Sequence, residues 1–369
     1  MDILKSDLFT PWTDPQSNLT TYILTKKAAP VHEVFYYVNN SMTNDGRYLW
    51  FYCAYPPSDR RTLGLLDMQT GEINVYPDVQ IMGAPHVDPE TGDIFWGMGS
   101  SVWRRGKRPQ DTPELVGSIP ADLIGSRRVE RVATHLTRST DGKEFFLDAF
   151  IGLQAVFGSL NIETGDYQHW HSFNRNHNHA QFSPTDPDLV LFAQENHPDP
   201  ITGLTFRITD RMWLMRRGEA PRPVFSEPTV VTHEWWDEDG DHVWCIHSSG
   251  TWRVNIHTQE VENLEWPVGA WHSHHHPNGK YVVGDARAKG VPFYRGCPSW
   301  VEFLNRETGQ CVRFINNPER IDYVGQNYHI DPHPRFVGSG QYVVFTTTVL
   351  GDVDLGIIPT ADLIAATGG

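Results

Sequence analysis

Short apolar runs alternate with polar turns along the whole chain, and the turns return at intervals of about 40–50 residues. Thr43-Asn-Asp-Gly46 precedes Tyr48-Leu-Trp-Phe51, Asp88-Pro-Glu-Thr-Gly92 precedes Ile94-Phe-Trp96, and Ser139-Thr-Asp-Gly142 precedes Phe145-Phe-Leu147. Ser183-Pro-Thr-Asp-Pro-Asp188 then precedes Leu189-Val-Leu-Phe192, and Asp237-Glu-Asp-Gly240 precedes His242-Val-Trp244. Pro277-Asn-Gly279 before Tyr281-Val-Val283 and Gly338-Ser-Gly340 before Tyr342-Val-Val-Phe345 complete the series. Asp-Gly and Asn-Gly between β-rich runs are hairpin signals, because these residues tolerate the positive φ of a tight turn. Second turns at Gln69-Thr-Gly71, Glu163-Thr-Gly165 and Glu307-Thr-Gly309 introduce a further short strand each. Every unit therefore reads as a small antiparallel sheet of about four strands. Helical periodicity is confined to Pro120–Ile124 and Thr360–Ala366.

Seven such sheets closing radially predict an all-β fold, a seven-bladed β-propeller. Length alone would suggest two or three domains, but one closed ring is one domain, so residues 1–369 read as a single propeller. The last unit ends one strand short. Either Thr20–Leu24 or Glu33–Tyr37 is expected to complete it and close the ring.

A histidine stands about seven residues before the turn in six of the units: His86, His135, His179, His233, His272 and His333; the first unit carries Asn39 there. The first strand of a propeller blade is the innermost, so this address rings the mouth of the central channel. Such a ring suits a metal or catalytic centre. It also suits histidines that cap strand ends or bind water in the channel.

Composition narrows the chemistry. The net charge of -15 leaves no basic face for a nucleic acid. An anionic small substrate stays possible, because an arginine cluster or a metal can reverse the field inside a cleft. Cys53, Cys245, Cys297 and Cys311 form no Cys-x-x-Cys pair and read as free thiols of a reducing compartment. The opening MDILKSDLFTPW has no signal-peptide apolar region, and no run is long enough to span a membrane, so a cytoplasmic protein without a membrane partner is expected. Thirteen tryptophans and thirteen tyrosines suit strand packing first and sugar stacking second.

The densest polar chemistry is Gln326-Asn-Tyr-His329-Ile-Asp331-Pro-His333. If this segment enters a strand, His329, Asp331 and His333 alternate by two and share one side. Imidazoles with a carboxylate suit a borderline divalent ion, and the neighbouring Trp271-His272-Ser-His274-His275-His276 offers another ligand. The same spacing fits a polar channel lining. His233, in Thr232-His-Glu-Trp-Trp236, fits a general base at the channel mouth. Arg211 can clamp a carboxylate, although its residue context alone reads first as an ordinary surface or blade-edge ion pair.

With these residues in view, the chain resembles the oligogalacturonate lyases, polysaccharide lyase family 22. The resemblance rests on His179-Ala-Gln-Phe-Ser-Pro-Thr-Asp-Pro-Asp188, Asp210-Arg-Met-Trp213, Thr232-His-Glu-Trp-Trp236, the His272–Gly279 unit and His333-Pro-Arg-Phe336. It is strongest from about residue 176 to 350. It implies a seven-bladed propeller that binds a divalent metal, typically manganese, through three histidines and a glutamine. It also implies β-elimination on short uronate oligosaccharides, leaving a 4,5-unsaturated uronate. Carried over by position, it makes His272 and His333 metal ligands, His233 the base and Arg211 the essential arginine. Of the other address histidines, His179 is expected to line the substrate pocket.

The departure lies before His333. Aligned without gaps, the family's middle histidine becomes Asp331 and its glutamine Tyr328; with a short shift, Gln326 and His329 keep the Gln-x-x-His element. The metal candidates are therefore His272, Gln326, His329, Asp331 and His333. Gln194-Glu-Asn-His-Pro198 also departs from the family's Cys-His-Glu-Gly-Pro, as does the Ala286–Trp300 loop with Arg287, Lys289 and Arg295. The competing classes are a non-catalytic propeller that binds a glycan or protein, and a metal-dependent glycan hydrolase on the same fold.

Overall fold

The turn at Ser139–Gly142 shows how a unit begins. Gly142 lies at φ 76° and donates its N–H to the Ser139 carbonyl at 2.8 Å, a left-handed conformation that costs glycine nothing. Ser139 Oγ accepts the Glu144 N–H at 3.0 Å, so the chain reverses from Thr137–Arg138 into Glu144–Ile151 with Thr137 opposite Phe146. Residues 2–58, 60–199, 201–206, 208–267, 269–287, 298–318 and 330–369 are described by the computed structural model.

These antiparallel units form a seven-bladed β-propeller. Blades 1, 2, 4, 5 and 6 begin with the inner strands Val31–Glu33, His86–Val87, His177–Phe182, Thr232–Trp236 and Ala270–His275. In blade 3 two short inner strands, Val129–Arg131 and Thr137–Arg138, both pair with Glu144–Ile151. Blade 7 runs Arg335–Val337, Tyr342–Thr347 and Asp354–Pro359, and is then extended by Thr20–Leu24 and Phe9–Thr13 from the start of the chain. Of the two segments considered for closure, Glu33–Tyr37 takes another part. Its first residue ends the inner strand of blade 1, and Tyr36 and Tyr37 run on into the centre. The two short helices are Ala121–Ile124 and Thr360–Ala366.

Each sheet is too small to bury its own faces, so stability comes from packing sheet against sheet around the ring. Every junction between neighbouring blades carries its own apolar cluster. Trp50, Tyr52 and Trp96 join blades 1 and 2; Phe145, Leu147 and Phe95 join 2 and 3; Phe146, Phe157, Phe182 and Phe192 join 3 and 4. Met212 and Trp236, Trp235 and Val282, then Phe303 and Phe345 continue the series. Leu355 and Phe51 close it between blades 7 and 1.

Several histidines are packed into this framework as neutral side chains. Burial pushes His32, His177 and His275 down to about 4 each, from an ordinary value near 6.5. Between those limits the unfolded chain binds protons that the folded protein refuses. Stability is therefore fully present above pH 6.5 and is lost as pH falls toward 4, by up to about 1.4 kcal/mol per pH unit for each histidine. The urea midpoint is expected to drop steadily on acidification through this window; a midpoint that holds constant from pH 6.5 to 4.5 contradicts the assignment.

Candidate active site at the channel mouth

The inner strands of blades 4, 5 and 6 each carry a bulge where the histidine address falls. The register shifts between Asn178 and Gln181, between Thr232 and Trp235, and between Ala270 and Ser273. His179, His233 and His333 adopt positive φ of 55°, 52° and 43°, a conformation that costs a non-glycine residue about 1–3 kcal/mol. Bulges of this kind re-aim side chains. Here they surround a cavity of about 840 Å3 lined by Tyr36, His135, His179, Glu195, Arg211, His233, Trp271, His272 and His333.

His272 and His333 line one wall, and with Asp331 they form a buried group whose ligand atoms lie within 4.8 Å of one another. Asp285 organises this group from behind. Its carboxylate accepts the His272 N–H at 2.8 Å, lies 2.9 Å from His272 Nδ1, and accepts the His333 N–H at 3.1 Å. With Nδ1 held by a carboxylate, Nε2 is the nitrogen of His272 that can serve a metal. This carboxylate–histidine arrangement is the usual support of a metal-binding imidazole. Two imidazoles and one carboxylate are a donor set that a borderline divalent ion accepts. Replacing Asp285 with Asn should weaken divalent-ion affinity about 10–100-fold in a calorimetric titration; unchanged affinity would remove Asp285 from any metal role.

His233 stands beside this group, its ring centroid 4.5 Å from His272 and 4.8 Å from Trp271. Its strand is pinned by Glu234, whose carbonyl accepts Gln181 Nε2 at 2.9 Å and the Tyr37 hydroxyl at 3.3 Å. Arg211 is buried between two carboxylates. Nε donates to Glu234 Oε2 at 2.9 Å, and Nη1 donates to Glu195 Oε1 in a short contact. Burial works against the guanidinium charge, but Glu234 and Glu195 together outweigh it and hold the pKa above the ordinary arginine range. Nη2 makes no hydrogen bond among the described residues, and so is the donor left for an incoming anion.

Five of the six address histidines line the cavity. His86 does not: its ring packs against Phe145 at 5.3 Å and Phe95 at 6.2 Å, between blades 2 and 3. Gln326, Tyr328 and His329, like Lys289 and Arg295, lie outside the described residues. Two expectations are corrected. The strand alternation proposed for His329, Asp331 and His333 is not what joins the last two: they precede the strand Arg335–Val337, and the left-handed backbone at His333 brings His333 Nε2 to 3.9 Å from Asp331. Arg211 is not a surface or blade-edge pair, because its side chain is only 7 % exposed and faces the cavity.

Sequence reasoning missed Tyr36, whose ring lies 4.9 Å from His135 and His333 and 5.8 Å from His179 and His272. It belongs to the one blade that lacks a histidine at the shared address. Asp285 was missed too, although a signal existed. It follows His272 by 13 residues, and Asp148 follows His135 at the same spacing.

Fold and site together define a β-propeller with a histidine–carboxylate centre at the mouth of its channel. No protein-family model and no curated protein matches the chain. Among solved structures, the fold is similar to that of an oligogalacturonate lyase in complex with manganese. The TM-score is 0.75 at 18% identity, over 96% of this chain and 97% of that one. It is also similar to an oligogalacturonate lyase from Vibrio parahaemolyticus, with a TM-score of 0.71 at 18% identity over 95% and 96% of the two chains. A puromycin-hydrolyzing peptidase of Mycobacterium tuberculosis shares the fold more distantly, with a TM-score of 0.61 at 14% identity over 89% of this chain and 51% of that one. At these identities the likeness is one of fold.

Proposed function

We propose that the protein is a metal-dependent lyase that cleaves short uronate-containing oligosaccharides by β-elimination. The observation that carries this reading is the meeting at one cavity of three groups: the His272–Asp331–His333 donor set, whose two histidines line it, His233 beside them, and Arg211 held by its two glutamates. The likeness in fold to two oligogalacturonate lyases, one of them a manganese complex, supports it. The proposed metal is manganese, held by His272, Asp331 and His333, with Gln326 and His329 as further candidates.

A divalent ion bound there would supply Lewis acidity toward the uronate carboxylate. His233 takes the proton from C5 on a ring nitrogen, as an imidazole can near neutral pH. The C5–H electron pair becomes the C4–C5 double bond, and the 4-oxygen leaves with the pair of the broken bond and gains a proton from solvent, to which His233 returns its own. Arg211 Nη2 orients the anionic sugar and balances its charge. His179 lines the wall along which the sugar lies. No nucleic-acid or membrane partner is proposed.

The test is ultraviolet absorbance of the unsaturated product across a panel of uronate oligosaccharides, with metal analysis of the same sample. Activity should disappear on chelation and return with a divalent ion. Full activity in protein free of divalent metal would sink the metal role, and cleavage without an absorbing product would make the enzyme a hydrolase.

A further inference from the structure

His135 and His179 face each other across blades 3 and 4, outside the His272–Asp331–His333 set, with His135 Nε2 2.8 Å from His179 Nδ1. The pair is locked in place. Asp148 accepts the Thr134 N–H on one carboxylate oxygen at 2.6 Å and the Ala180 N–H on the other at 3.3 Å, bracing the residue next to each histidine. Tyr36 stacks on the His135 ring at 4.9 Å and 17°. His179 Nε2 lies 3.8 Å from Glu195 Oε1, and the exposed 19% of its side chain lines the cavity.

Both rings are neutral: burial pushes His135 down to about 3, and desolvation in the cavity wall pushes His179 well below the ordinary range. A neutral imidazole has one N–H and one lone pair, so the short contact admits two arrangements. If His179 Nδ1 donated to His135, the His135 proton would sit on Nδ1. That atom is buried and has no hydrogen-bond partner among the described residues. His179 would also turn a lone pair toward the Glu195 carboxylate. If His135 Nε2 donates instead, the unmatched atom is only a lone pair, and His179 carries its proton on Nε2, facing an acceptor. A buried N–H without an acceptor is the rarer and costlier defect. The second arrangement is therefore the stable one.

We propose that His135 is a positioning residue that fixes His179 as its Nε2–H tautomer, so that the cavity wall presents a hydrogen-bond donor to a substrate oxygen. The proposal rests on the lyase reading for the identity of that oxygen, which belongs to the uronate as a carboxylate, hydroxyl or glycosidic oxygen. A protein donor already aimed at such an atom needs no reorganisation as negative charge develops.

The test compares wild type with His135→Gln, which keeps an N–H near the Nε2 position, and His135→Leu, which removes it. Nitrogen-15 spectra of the His179 ring are read without substrate, and kcat and KM are measured on a uronate oligosaccharide alongside metal content. Wild type and H135Q are expected to show the Nε2–H form. H135L should lose that preference and about 10–100-fold in kcat/KM at unchanged metal content, as outer-shell partners do, and H135Q should recover most of the loss. An Nδ1–H tautomer in wild type, or H135L matching wild type in both readouts, overturns the proposal. If H135L does not fold, the wild-type and H135Q spectra still decide it. Absence of elimination on every uronate would defeat the lyase reading alone, since the tautomer is measured independently.

Discussion

His233→Ala is expected to abolish turnover while leaving the protein folded and its bound metal intact. Positioned general acid–base groups contribute about 10²–10⁴-fold to rate, so the residual kcat should fall by at least the lower figure. The structure makes the separation of roles measurable. His233 sits 4.5 Å from His272, centroid to centroid, yet stands outside the group formed by His272, Asp331 and His333. If it is the base, metal content measured by elemental analysis stays at the wild-type level. A parallel loss of metal and activity would make His233 a ligand instead. His272→Ala is the natural control, because it removes a member of the donor set itself and should lose both.

Arg211 is expected to show a different signature, in which stability and activity fall together for Ala but separate for Lys. Glu234, with its side chain 1% exposed, has Arg211 as its ion-pair partner, and Glu195 shares the same guanidinium. Removing one partner of a buried pair leaves an uncompensated charge and costs about 3–5 kcal/mol. Arg211→Ala should therefore lower the thermal midpoint and eliminate activity. Arg211→Lys keeps a positive charge for the two glutamates but cannot hold both in a planar fork while offering a third donor. It should fold near the wild-type midpoint with a severe loss of kcat/KM. An Arg211→Lys enzyme with full activity would show that the arginine only supports the fold, and that the proposed contact through Nη2 is wrong.

The two variants probe residues that differed in legibility. His233 stood out in the sequence because its position recurs: a histidine before a turn, in a unit repeated around a ring. Arg211 had no such pattern. Its importance came from the resemblance to the lyases, while the residue context alone favoured an ordinary ion pair. What its context could not show is that Glu195 and Glu234, 16 and 23 residues away on either side, converge on its buried guanidinium. Tyr36 was hidden for the opposite reason. It occupies the centre of the histidine ring from the only blade without a histidine at that address, so a search for repetition passes over it.

By itself the sequence determined the propeller: the turn spacing, the strand-forming runs, the two short helices and the common address of the histidines. These are local properties. A hairpin is decided by the residues of its own turn and the few on either side, and each blade repeats that decision. The tertiary structure alone decided which address residues meet at the cavity. His135 meets His179 across 44 residues of chain, and Asp285 reaches the His333 backbone across 48. His86 holds an equivalent place and is packed among phenylalanines. Such meetings follow from ring closure, from bulges that turn individual side chains inward, and from buried carboxylates that brace neighbouring blades. None of these is a property of any single segment.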